Sequence, residues 1–123
     1  NISFADKLPK GKKSKSFFVQ SHTIDDLVIT QKLIKDVKFI KIDAEGAEYE
    51  ILSSTEKTIK KYKPIFYCEA TRKVKDIYKF FKKKNYVLFN FNGKKIIKVS
   101  LKLFNGGELL AIHKSDNYFS KIQ

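Results

Sequence analysis

The stretch Phe39-Ile40-Lys41-Ile42-Asp43-Ala44-Glu45-Gly46-Ala47-Glu48-Tyr49-Glu50-Ile51-Leu52 changes its hydrophobic period part-way along. Phe39, Ile40 and Ile42 form a short apolar run of strand-favouring residues, too brief for a helix and suited to a parallel strand buried on both faces. At Asp43 the run stops. Gly46 allows a sharp bend, and Ala47, Ile51 and Leu52 then recur at helical spacing. The stretch predicts a strand passing directly into a helix, with Asp43 and Glu45 at the strand's carboxyl end. In open α/β sheets that edge is where ligands bind.

On the amino-terminal side, Thr23 and Asp26 have the spacing of a capping box, and Ile24, Leu27, Val28 and Ile34 follow at near-helical intervals, predicting a short helix. Asp25 and Asp26 read as first-turn acids that complement its dipole. His22, just ahead, could reach a substrate, although a lone His in a polar stretch is usually solvated surface. Phe17-Phe18-Val19 predict a short strand, and residues 1–16 an exposed segment. Lys10-Gly11-Lys12-Lys13-Ser14 is no phosphate-binding loop, because that cradle needs two glycines at fixed spacing.

On the carboxyl-terminal side, Ser53 and Glu56 suggest that the helix breaks and restarts before running to Tyr62. Pro64 ends it, and Ile65–Glu69 read as the next strand, which sets Glu69 at the same edge as Asp43. Val74, Ile77, Tyr78 and Phe81 give an amphipathic helix, with Lys82, Lys83 and Lys84 in its last turn, where cations suit the dipole. Residues 86–91 and 94–99 around Asn92-Gly93 predict a hairpin with a type I′ turn, and residues 108–113 a last apolar strand. The expected organisation is an exposed segment over 1–22, a domain over 23–114 and a tail over 115–123.

Composition narrows the function classes. With 42% hydrophobic and 14% aromatic residues, eleven of them Phe, the chain has the means to build one packed core. The formal charge of +13 invites a nucleic-acid reading. Against it, Arg72 is the only arginine among 26 basic residues, whereas base readout and bidentate phosphate grips favour the guanidinium fork. Cys68 is the single cysteine, which rules out an intrachain disulfide and thiol-rich metal sites; its setting in a strand reads as a buried small hydrophobe. No apolar run approaches a membrane span and no signal-peptide pattern opens the chain, which fits the cytoplasm. The chain does not begin with Met, so Asn1 is not expected to be the biological start.

Lys41-Ile42-Asp43-Ala44-Glu45-Gly46-Ala47-Glu48 resembles the KIDxEGAE signature of FkbM-type methyltransferases. Thr23-Ile24-Asp25-Asp26-Leu27 is similar to the TLDD element that precedes it there, and Lys63-Pro64-Ile65-Phe66-Tyr67-Cys68-Glu69 to the strand that follows. Order and spacing agree across residues 23 to 69. The resemblance implies S-adenosylmethionine-dependent methyl transfer on a Rossmann-like α/β sheet, to a hydroxyl of a small molecule or glycan. The strands would correspond to the fourth to seventh of such a sheet, parallel with a terminal antiparallel hairpin and strand. The family's first strand, its glycine-rich donor turn and the acid on its second strand have no counterpart here. The expectation is a carboxyl-terminal half, inactive in isolation, whose partner is the missing half of its own domain.

For the chemistry, alignment of donor and acceptor and removal of one proton are the main requirements. Asp43 is expected to orient or deprotonate the acceptor hydroxyl, assisted by Glu45 or Glu69, with Lys41, Gly46 and His22 on the substrate or cofactor side. A structural alternative holds Lys41 in a buried ion pair with Asp43 or Glu69 and leaves Glu45 near a helix amino terminus. Glu48 and Glu50 read as solvated, and no defined metal ligand set is present. Two rival functions remain open: a basic α/β module that binds nucleic acid or an acidic partner, and an inactive truncated remnant with an exposed sheet edge.

Overall fold

The computed structural model describes residues 15–118 and Lys121. Residues 1–14, read above as an exposed segment, lie outside the described residues. Among the described residues, five strands and three α-helices form a mixed α/β fold: β1 (Phe39–Ile42), α1 (Glu48–Leu52), α2 (Glu56–Tyr62), β2 (Ile65–Ala70), α3 (Val74–Lys83), β3 (Tyr86–Phe91), β4 (Ile96–Lys98) and β5 (Gly107–His113). The sheet order is β1-β2-β5-β3-β4. Strands β1 and β2 pair in parallel; β5 inserts antiparallel between β2 and β3, and β4 pairs antiparallel with β3.

The alternation of β2 explains the layering. Phe66, Cys68 and Ala70 are buried on the helix side together with Leu52, Ile59, Ile77 and Phe81, while Ile65 packs with Val87, Phe89 and Ile112 on the other face. Phe66, Phe81 and Tyr86 meet edge-on or tilted, with ring centroids 5.3, 5.4 and 5.7 Å apart. The Tyr86 hydroxyl would be costly to bury alone, and it donates to the Pro64 carbonyl at 2.7 Å.

Four local expectations are corrected. Phe17-Phe18-Val19 form no strand; residues 15–23 have no regular structure and these three side chains are exposed. The helix after Thr23 ends at Thr30 as a π-helical turn over Asp26–Thr30, because Lys32 turns left-handed (φ 53°) and Leu33 and Ile34 stay exposed. The helix breaks after Leu52 and restarts at Glu56 as expected, but not through a Ser53–Glu56 capping box: the Ser53 and Ser54 hydroxyls donate back to the Tyr49 and Ile51 carbonyls. The hairpin closes over four residues rather than two, since Phe91 pairs with Ile96 and the Asn92 side chain accepts from the Lys94 and Lys95 N–H groups.

Candidate functional site

The carboxyl end of β1 builds the candidate site. Beyond Ile42 the chain leaves the sheet, and Glu45 (φ 49°) and Gly46 (φ 107°) both take left-handed backbone before α1 begins. Gly46 has two reasons to be glycine. Its φ is one L side chains rarely adopt, and an added Cβ would lie 2.8 Å from Cδ of Arg72.

The turn is closed from within by Glu48, whose Oε2 accepts the Gly46 N–H at 2.8 Å. Glu48 is 1% exposed, not solvated. The signal was available: Glu48, Leu52 and Thr55 recur at helical spacing, and all three are buried. Glu50 is exposed as expected and pairs with Lys73 at 2.6 Å.

Asp43, Glu45, Glu69 and Lys41 are all exposed. Asp43 follows Ile42, the last paired residue of β1, which lies opposite Cys68; Glu69 is the next residue along β2 and pairs with Glu108 on β5. β2 and β5 thus each bring one acid to this end of the sheet, and Asp43 follows β1 at the same end. Lys41 pairs in register with Tyr67, and among the described residues it forms no ion pair with Asp43 or Glu69, so the buried-pair alternative is not what the fold contains. Hydrogen bonding to the Glu108 carboxylate, then burial and the charges of Glu108 and Glu69, push the Tyr67 hydroxyl up to about 12. Burial, with the charges of Glu48 and Glu69, pushes the Cys68 thiol up to about 12, so it is a neutral, unreactive core group at neutral pH.

His22 is engaged elsewhere. Its Nδ1–H donates to Asp26 Oδ2 at 2.7 Å, and the Gln31 amide donates to the same oxygen at 2.6 Å. These bonds hold the Asp26 carboxyl below its usual range. Thr23 caps as predicted, accepting the Asp26 N–H at 3.0 Å. Asp25 has a role sequence reasoning missed: it accepts from the Lys57 and Thr58 N–H groups at the start of α2, a partner 33 residues away that no local spacing reveals.

The family model of the methyltransferase FkbM domain matches residues 2–88. The chain belongs to that family. Comparison with curated proteins and with solved structures returns no match. The span matching the FkbM domain takes in β1, α1, α2, β2 and α3, hence Lys41, Asp43, Glu45, Gly46, Glu69 and Arg72; Glu108 lies beyond it. Among the described residues no group of three or more acids, histidines or cysteines stands close enough to hold a metal ion, and no helix is long and apolar enough to cross a membrane.

Proposed function

We propose that this FkbM domain takes part in S-adenosylmethionine-dependent methylation of a hydroxyl on a small molecule or glycan, with Asp43 as the group that orients the acceptor and receives its proton. One observation carries the reading: Asp43 stands exposed immediately past the carboxyl end of β1, where an open α/β sheet meets its ligands. Glu69 assists by holding the acceptor from the neighbouring strand, and Glu45 from the turn. A parallel pair followed by a terminal antiparallel strand supports a Rossmann-like sheet, and we take residues 23–114 as the methyltransferase unit.

The donor is a different matter. Asp43, Glu45 and Glu69 are each exposed and bury no ligand-sized space, so these residues do not make a donor site by themselves. We place the glycine-rich donor half along the outer edge of β1, which among the described residues has a paired neighbour on one side only. The reading assigns the cytoplasm, where the lone thiol stays reduced.

The test is labelled-methyl transfer from S-adenosylmethionine into an extract of small molecules and glycans, by a chain carrying its donor-binding segment. Asp43→Asn is expected to lower transfer on the order of a hundredfold, the range of a lost general base. Unchanged transfer rejects the assignment.

A further inference from the structure

At the opposite edge of the sheet the ends of three elements meet around a cavity of about 480 Å³. Lys57, Lys60 and Lys63 line it from α2 and its end, Lys83 and Lys84 from the end of α3, and His113 from the end of β5. Lysines in last helical turns have a local reason, since they complement the dipole. That reason acts on each helix separately and does not require two helix ends to converge on one hollow. The lining holds one acid, Glu56, and Lys84 already pairs with it at 3.0 Å. Among the described residues, the four other lysines of the lining, Lys57, Lys60, Lys63 and Lys83, have no further carboxylate in its wall.

His113, in the same lining, reports the same field. Burial and then the charge of Lys63 hold His113 below its ordinary value. Its Nδ1 accepts the Ser115 N–H at 3.1 Å, so the neutral ring presents an ordered polar wall rather than a further fixed charge. Lysine is well matched to such a hollow. As a point charge on a flexible stem it gathers phosphate oxygens without the planar geometry that arginine imposes.

We propose that this lysine-walled cavity binds a small oligophosphate, either free or as the phosphate tail of a nucleotide. The site is independent of the strand edge that carries Asp43, because it lies at the start of β2 and β3 rather than at their ends.

The experiment is calorimetric titration of the whole chain with pyrophosphate, and separately with ADP, at low ionic strength, where surface charge is least screened. The variant Lys60→Gln/Lys63→Asn removes two wall charges; asparagine suits the left-handed backbone at position 63 (φ 48°), and both side chains are exposed. A second variant, Lys94→Gln/Lys95→Gln, removes the same charge from the hairpin loop. Saturable binding weakened about tenfold or more by the first pair and less than about twofold by the second is expected, with thermal midpoints unchanged. Tighter binding of ADP identifies a nucleotide tail, and equal affinity a free oligophosphate. Equal weakening by both pairs would reduce the effect to net charge and overturn the proposal, as would absence of saturable binding by the unmodified chain.

Discussion

Oδ1 of Asp25 accepts hydrogen bonds from both the backbone N–H and the hydroxyl of Thr58, at 2.8 and 2.7 Å, although 33 residues separate the two. With Oδ2 taking the Lys57 N–H at 3.0 Å, one carboxylate satisfies two donors that the first turn of α2 leaves open. Thr55, at the N-cap position, turns its own hydroxyl back to the Leu52 carbonyl and does not cap. The TLDD element is thus a clasp between the segment before the sheet and the helix layer.

Replacing Asp25 by Ala is expected to cost about 1–2 kcal/mol in urea unfolding, the range for loss of a helix cap. Asp26→Ala, whose carboxylate serves only an exposed cluster with His22 and Gln31, should cost far less. Equal losses would show that Asp25 is no clasp.

Glu48 and Gly46 form a second closed unit. Glu48→Gln keeps an acceptor for the Gly46 N–H and is expected to be tolerated, whereas Glu48→Ala strands a buried donor at about 1–3 kcal/mol. Gly46→Ala meets both a left-handed φ and the Arg72 stem, so a loss of about 1–3 kcal/mol should accompany displacement of Arg72 from the turn. Urea midpoints of the three variants check the order.

The imidazole of His113 sets a pH dependence. Its pKa is lowered in the fold by burial, Lys63 and Lys114, against the opposing effects of Asp116 and the Lys84 backbone. The unfolded chain therefore binds more protons between the folded value and the ordinary 6.5, so this contribution is full above 6.5 and is lost as pH falls through the lowered value. Stability should decline on acidification below 6.5, and His113→Gln should flatten that part of the profile.

Cys68 should react with a thiol reagent only through unfolding, because it is fully buried and its pKa is pushed up to about 12. The labelling rate is expected to rise with urea in step with the unfolded population. Fast labelling without denaturant would mean that the β1–β2 core opens locally.

Much of the fold was legible because its signals are local. The period change at Asp43 and the amphipathic spacing from Val74 to Phe81 correspond to β1, α1 and α3 as found. What was not legible depends on partners distant in the chain. Asp25 caps a helix it does not belong to, and Arg72 lies over Gly46 because β2 returns beside β1. Glu108 joins the acidic edge only through the insertion of β5 between β2 and β3. The hairpin loop was misjudged for another reason: Asn92-Gly93 suits a two-residue turn, yet the Asn92 side chain stabilises a wider one. Glu48 was open to inspection, but a charged residue is so seldom buried that its helical position was outweighed.

The most direct test of the account compares labelled-methyl transfer by Asp43→Asn and Asp25→Asn in the full-length protein, alongside urea unfolding of both. The account predicts that Asp43→Asn loses transfer on the order of a hundredfold with stability unchanged, while Asp25→Asn, whose amide can no longer accept from both the Lys57 and the Thr58 side, loses stability with transfer per folded molecule nearly intact. Transfer surviving in Asp43→Asn, or stability lost with it, would contradict the assignment of chemistry to the β1 edge.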